Sequence, residues 1–430
     1  MFAGRGRMSD HTEGFYRHGL SRMSGRSTTE HGRVASPLEL LFDLVFAAAF
    51  GVLGTQFAHG IAIDEVMPAL GAFLFGGAAI IWAWINYSWF ASAFDTDDWA
   101  FRLMTMLQMA GVIVLAIGLA PMFASLEHGQ PIDNQVMVAG YIVMRVAMIG
   151  QWLRAARSSV HRRTALTYVV CIALAQVGWV IVAWVPMTLS GTLIAAALCW
   201  VVELLGPVIA ERRSATGGTP WHPHHISERY SLLAIITLGE TVIGTIAAAQ
   251  EVTAEEGWSA NSIVVIAAGI AMTFALWWTY FLLPSAPILA AHRSRAFVWG
   301  YGHAVIFLAI AAVGASLHLI GYVFDPEVHM PTVTVITSLA VSVIIYSLAI
   351  YAIHAWLTRE PTKNIALQLP SVLLPALAIV LAVAGLPLWL CLLVVLAGPV
   401  GVVLAYETGG WRGIDAQLHR AVTAGSTTGA

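Results

Sequence analysis

The chain has 430 residues, 58% of them hydrophobic and 10% charged, with a formal net charge of −3. So little charge cannot supply the polar surface of one or two soluble globular domains, and the composition places the chain in a bilayer. Its apolar runs are continuous and lack period-two alternation, which excludes a membrane barrel and leaves an all-α integral membrane fold.

Residues 1–36 carry Arg5, Arg7, Arg17, Arg22, Arg26 and Arg33 among Gly, Ser and Thr, without the short apolar core of a cleavable signal. They read as a disordered basic tail. A helix needs roughly 20 residues to cross about 30 Å of hydrocarbon. Twelve spans are predicted, near 38–59, 67–90, 103–124, 134–154, 164–185, 191–210, 227–249, 261–283, 296–320, 332–356, 366–385 and 387–406. They make a first six-helix half over 37–210, a His-containing linker over 211–226, a second half over 227–406 and a C-terminal tail over 407–430. Cys171, Cys199 and Cys391 all fall inside apolar runs, as packing residues do.

Twelve spans return the chain to the side where it began. The loops of that side hold Arg154, Arg157, Arg162, Arg163, Arg212, Arg213, Arg293, Arg295, Arg359 and Lys363, and the C-terminal tail adds Arg412 and Arg420. The opposite loops hold no Lys or Arg and carry Asp64, Glu65, Glu127, Asp133, Glu251, Glu255, Glu256, Asp325 and Glu327. Because basic loops stay in the cytoplasm, both termini are expected there. Beside a membrane the Arg-rich face is expected to attract anionic lipid rather than nucleic acid.

A charge at the centre of a span costs on the order of 2.5–3.5 kcal/mol, so such residues should face the interior and find partners. Glu39 and Asp43 lie four residues apart on one face of the first helix. Arg145 sits in the fourth span, Glu203 in the sixth and Glu240 well inside the seventh, so a charge network is expected in which Arg145 meets Glu203, Glu240 or Asp43. Each carboxylate can be read as a proton or cation site, or as half of a static pair that fixes helix register. Around Glu240, Thr237, Gly239, Thr241 and Gly244 form the most polar stretch within any span, suited to a cavity or to a small-residue packing seam.

In the loop before the third helix, Asp95, Asp97 and Asp98 suit the positive end of that helix, and Asp98 stands four residues before Arg102, the spacing of a helical ion pair. Before the seventh helix come Trp221-His222-Pro223-His224-His225-Ile226-Ser227-Glu228, with Ser227 as the expected cap. The proline and irregular spacing argue against a metal there, so no metal is expected. Asn86, Gln108, His303 and His318 read as packing contacts.

An internal duplication is also indicated. Trp84-Ile85-Asn86-Tyr87, followed by Arg102, has a counterpart in Trp277-Trp278-Thr279-Tyr280, followed by Arg295, and Glu39 and Glu228 open the two halves. Two parallel six-helix repeats are therefore expected, an arrangement that in transporters places the site between the halves. No phosphate loop, nucleophile elbow or zinc-protease histidine pair is present, so neither enzyme chemistry nor a cofactor is expected.

The first helix, Pro37-Leu38-Glu39-Leu40-Leu41-Phe42-Asp43-Leu44-Val45-Phe46, resembles the opening motif of the bacterial low temperature requirement A proteins. Asp95-Thr96-Asp97-Asp98-Trp99 with Arg102, then Glu228-Arg229-Tyr230 and Leu238-Gly239-Glu240, match that family's later landmarks in order. The resemblance runs from Pro37 over nearly the whole chain, and Ala47-Ala48-Ala49 departs from it with smaller side chains. It implies a multi-pass protein of the bacterial plasma membrane and points at Glu39, Asp43, Glu228 and Glu240. The expected function is a secondary transporter or permease for a small solute or ion. The alternative is a non-transporting sensor or lipid-handling protein. Expected partners are membrane lipid, an unidentified solute or ion, and optionally further copies of the chain.

Overall fold

A computed structural model describes residues 19–428, with 29, 31, 213, 215–217, 326–327, 329 and 361–364 excepted. Arg5, Arg7, Arg17, Arg213, Glu327 and Lys363 lie outside the described residues. Every described element is helical. Among the described residues eleven helices are long and apolar enough to cross a membrane, and a shorter apolar one makes the twelfth.

The first half comprises α1 (Pro37–Ala62), α2 (Val66–Phe94), α3 (Trp99–Ile117), α4 (Leu119–Glu127), α5 (Gln135–Ser158), α6 (Arg162–Trp184) and α7 (Leu189–Arg212). The second comprises α8 (Pro223–Glu256), α9 (Ala260–Phe281), α10 (Ala286–Ala291), α11 (Ala296–Phe324), α12 (Thr332–Thr358), α13 (Ile365–Val383) and α14 (Leu388–Ala405), and is followed by α15 (Trp411–Thr428). All twelve expected spans have a counterpart. The third is divided between α3 and α4 at Gly118, where a Cβ would stand 2.2 Å from the Met137 backbone nitrogen of α5. Gly111 and Gly140 meet in the same crossing, so backbone packs on backbone as small-residue seams allow. The shorter helix, α13, carries Pro370 and Pro375 inside it, against which Gly398 and Gly401 of α14 pack.

The enclosed centre of the bundle is α11, packed against α8, α12 and α1. In each half the first span touches the second and third, the third touches the fourth, and the fourth to sixth follow in sequence. A parallel duplication requires this order of neighbours, and so does any bundle that packs consecutive helices.

Helix ends follow local chemistry. Ser36 and Glu39 form a reciprocal capping box on α1, with Glu39 Oε2 accepting from the Ser36 N–H at 2.8 Å and Pro37 opening the helix. The α8 helix starts earlier than expected, because Pro223 fits its first turn. Its cap is therefore His222, whose ring accepts from the His225 N–H at 3.3 Å, and not Ser227.

The N-terminal tail, expected to be disordered, is packed where it is described, and the C-terminal tail folds as a helix. Residues 19–36 pack on the basic end of the bundle: Ser21 N donates to Asp98, Met23 N to Ser158, and Arg26 N to Ala93 O, while the Met23 side chain is buried. Two positive-φ glycines, Gly25 and Gly32, provide bends that side chains resist. Residues 411–428 form the amphipathic α15, which turns back at Gly409 and lies under α10 and α12 through His292–Ala421 and Arg420–Glu360 contacts.

Candidate functional site

The structure sorts the buried charges into three places. At the basic end, α1 and α8 lie side by side and present complementary pairs, each four residues apart: Glu39 and Asp43 from α1, His225 and Arg229 from α8. All four are 0% exposed. Arg229 forks between the carboxylates, with Nη1 2.7 Å from Glu39 Oε1 and Nη2 2.6 Å from Asp43 Oδ1. His225 Nε2 lies 3.2 Å from Glu39 Oε2, and Trp84 Nε1 of α2 donates to Asp43 Oδ1 at 2.7 Å. The Arg229 guanidinium also stands 5.6 Å from the Trp84 ring.

Sequence reasoning had named Glu228 here, but Glu228 is only half-buried, and its neighbour Arg229 provides the charge. The signal was present: His225 and Arg229, an imidazole and a guanidinium, repeat the Glu39–Asp43 spacing at the same end of the bundle. Two carboxylates thus face one permanent cation and one imidazole. Among the described residues Asp43 Oδ2 and His225 Nδ1 have no hydrogen-bond partner.

Above this cluster, Arg33 Nη2 stands 3.7 Å and Arg26 Nη1 3.9 Å from Asp95 Oδ2, so the N-terminal segment closes the basic end. Burial is the largest influence on the Asp95 carboxyl and raises its pKa above the usual value. The helical pair expected between Asp98 and Arg102 is not formed. Arg102 instead forks onto Asp97 at 2.9 Å on the surface, because Asp98 is turned inward to cap α3 at Phe101 N and to bind Arg154 of α5. Burial alone would raise the Asp98 carboxyl, but the bonds from Arg154, Phe101 N and Ser21 N prevail and hold it at about 2.

A second cluster surrounds Glu203 of α7. Of the three partners open to Arg145, the structure selects this one, at 3.3 Å. Tyr141 OH donates to Glu203 Oε1 at 2.8 Å, Trp82 Nε1 to Oε2 at 2.8 Å, and Gln176 Nε2 to Oε1 at 3.2 Å. Four spans, α2, α5, α6 and α7, are tied at one carboxylate whose oxygens are fully served.

The third place is Glu240, at the middle of the 34-residue α8. It is half-buried, and no hydrogen bond or ion pair joins its carboxylate to any described residue. A Cβ on Gly51 of α1 would stand 3.2 Å and 3.3 Å from its two oxygens, and one on Gly314 of α11 would strike its backbone at 2.8 Å. Gly51 thus leaves the space the carboxylate occupies, and Gly314 lets the α11 and α8 backbones approach. Thr237 and Thr241 are buried beside it, but their hydroxyls bond Leu233 O, Leu238 O and Thr273.

The three histidines before α8 diverge: His222 caps the helix, His224 is exposed and His225 meets Glu39.

The sequence is 27% identical over 269 residues to an uncharacterized protein of Rhizobium meliloti (strain 1021), covering 60% of each chain, so the chain spans about 60% of the length of that curated relative. The family model for the bacterial low temperature requirement A protein matches residues 34–399, from just before the α1 capping box into α14. On that match the chain belongs to the bacterial low temperature requirement A protein family.

Proposed function

We propose that this membrane protein is a secondary transporter or permease for a small solute or ion, with Glu240 as its coupling carboxylate. One observation carries the reading: Glu240 lies at mid-helix with no partner among the described residues, whereas Glu39, Asp43 and Glu203 are all bonded. A carboxylate held in apolar surroundings without a cation favours its protonated form, and releases that proton only to water or an exchanging cation. Arg229 lies eleven residues, or about 16 Å, back along α8. Phe46, Phe50 and Phe307, all 0% exposed, are buried around that stretch. The fork of Arg229 then acts as the closed gate of the basic end, and the proton at Glu240 as the load that changes. By the charge of its loops the basic end faces the cytoplasm of a bacterial cell, and its arginines attract anionic lipid.

Dicyclohexylcarbodiimide, which adds to protonated carboxyls in apolar surroundings, provides the test. In protein reconstituted into liposomes it should label Glu240 and spare Glu203, with labelling that declines as pH rises. On solid-supported membranes, solute jumps across a panel of amino acids, sugars and organic cations should give currents that Glu240→Gln abolishes. An unlabelled Glu240 at every pH, or a Glu240→Gln current equal to that of the wild type, would sink the reading.

A second reading, lipid handling, has one specific observation in its favour. An apolar groove of about 650 Å³ runs between α1, α2, α11 and α12, past Phe57, Leu70, Phe73, Leu308, Val341 and Ile345, with room for an acyl chain. Under this reading a bilayer lipid copurifies with the protein and Glu240→Gln leaves it bound.

A further inference from the structure

A cavity of about 60 Å³, several times the space one water needs, opens at the basic end between α2, α5, α6, α7 and α11. It is separate from Glu240, and its walls are chiefly aromatic: Trp82, Trp89, Trp152, Tyr168, Trp221 and Tyr301. The rings are fixed by one another. Trp152 stacks on Tyr168 at 4.1 Å, Trp89 meets Trp221 edge-on at 4.9 Å, and Trp82 meets Tyr301 edge-on at 5.1 Å. Two charged residues complete the lining, Glu211 from the end of α7 and Arg293 before α11.

Glu211 is held in place by three donors, Tyr168 OH at 3.0 Å and Thr219 N and Oγ1 at 2.8 Å. Its loop closes through Gly218, where a Cβ would stand 2.5 Å from Glu211 Oε2. Arg293 lies 3.9 Å from the Trp221 ring and spends only Nη2 on the carbonyls of Trp221 and Thr219.

We propose that this cavity binds a zwitterion with a methylated ammonium at one end and a carboxylate or phosphate at the other. The argument proceeds from what the walls can satisfy. Aromatic faces attract cations through their quadrupole, and the site already holds one guanidinium over an indole. A primary ammonium needs three acceptors, and the side chains of these walls offer little beyond the Asn86 amide oxygen, because Glu211 already accepts three of about four possible bonds. A methylated ammonium has few or no N–H groups to satisfy and spreads its charge over methyl groups that pack on rings. Glu211 then adds negative potential, while Nε and Nη1 of Arg293 remain to meet the anionic end. The two protein charges cancel, so a zwitterion leaves the site neutral where a simple cation or anion would not. Pro207 also lines the cavity. It removes a helical hydrogen bond at the turn of α7 that separates Glu203 from Glu211. Two sources share this chemistry, a free betaine-type solute and the phosphocholine headgroup of a lipid. Neither requires the protein to transport.

The test uses the full chain in phosphatidylglycerol nanodiscs, titrated calorimetrically with trimethylglycine and, separately, with glycine. Saturable heat is expected from trimethylglycine and none from glycine. Binding should weaken by about tenfold in Tyr301→Leu, be restored in Tyr301→Phe, which keeps the ring, and weaken similarly in Glu211→Gln. If Tyr301→Leu does not elute as folded protein, Glu211→Gln decides. Native mass spectrometry from nanodiscs of equal phosphatidylcholine and phosphatidylglycerol forms the second arm. Retention of phosphatidylcholine alone, lost in Glu211→Gln, supports the site and assigns its source to lipid. Trimethylglycine heat supports it and assigns a free solute. Absence of both, or folded variants that bind as the wild type does, overturns the proposal.

Discussion

Glu203 and Glu240 are both carboxylates within spanning helices, and their surroundings are opposite. Glu203 is served by a tyrosine, a tryptophan, a glutamine and Arg145 from three other helices. Glu240 meets two glycines and no donor among the described residues. A carboxylate with every lone-pair direction occupied loses a large interaction when any element moves, so Glu203 behaves as a rivet. An unpaired one loses no such interaction on changing neighbours, which is what the proposed coupling role of Glu240 requires. The difference teaches that charge inside a span has no single meaning. What decides is the count of donors around it.

The sharpest way to break the comparison lies at the basic end, where two carboxylates depend on one cation. Arg229→Ala leaves Glu39 and Asp43 buried without it, and the expected loss is about 3–5 kcal/mol, seen as disappearance of the monodisperse peak on size exclusion. Arg229→Lys should fall only part of the way, because a point charge cannot fork between both acids. Next comes Glu203→Leu, which strands Arg145 and should lower stability by about 3 kcal/mol in a thermal melt. A smaller effect is expected of Ser36→Ala, about 1 kcal/mol for the lost cap of α1, in the same assay. Glu240→Gln closes the series with a change of about 0.5 kcal/mol or less, or a slight gain, because it removes a charge that has no partner. If Glu240→Gln destabilises as much as Glu203→Leu, the contrast between rivet and free group fails.

Acid sharpens the comparison from the surface. Asp98 falls from an ordinary value of 3.8 to about 2 on folding, so its contribution is complete above 3.8 and is lost as pH falls through about 2. The N-terminal segment held through Ser21 and Arg154 should therefore exchange its amide hydrogens faster below pH 3, before α1 does. Equal protection of both down to pH 2 would show that Asp98 does not hold the segment.

Much of this was legible in the sequence, for identifiable reasons. Spans were readable because hydrocarbon thickness imposes length, and Glu39 and Asp43 were readable because helical period puts them on one face. The choice of Glu203 for Arg145 was not, since it depends on how α5, α6 and α7 pack around Trp82. Arg229 was overlooked beside Glu228 because adjacent residues of a helix point in different directions, and only the i, i+4 match to His225 tells which one turns inward. The packed segment 19–36 escaped notice because its contacts are backbone donors meeting distant side chains, which composition does not reveal. The duplication rests on the motif pairs, with a neighbour order that agrees with it.

The Arg229 fork also has a temporal side. Its two hydrogen bonds join residues 190 and 186 positions apart, so α1 is synthesised long before its partner. At ribosomal speeds of about 5–20 residues per second, the interval is roughly 10–40 s. Throughout it, the acids of α1 have only headgroups, water or assembly factors to meet, and their place in the first two turns keeps them near the interface. A helix that waits so long for its counter-charge is a natural substrate for quality control. Chains interrupted before α8 should be degraded with α1 still exposed, while those that reach Arg229 become resistant.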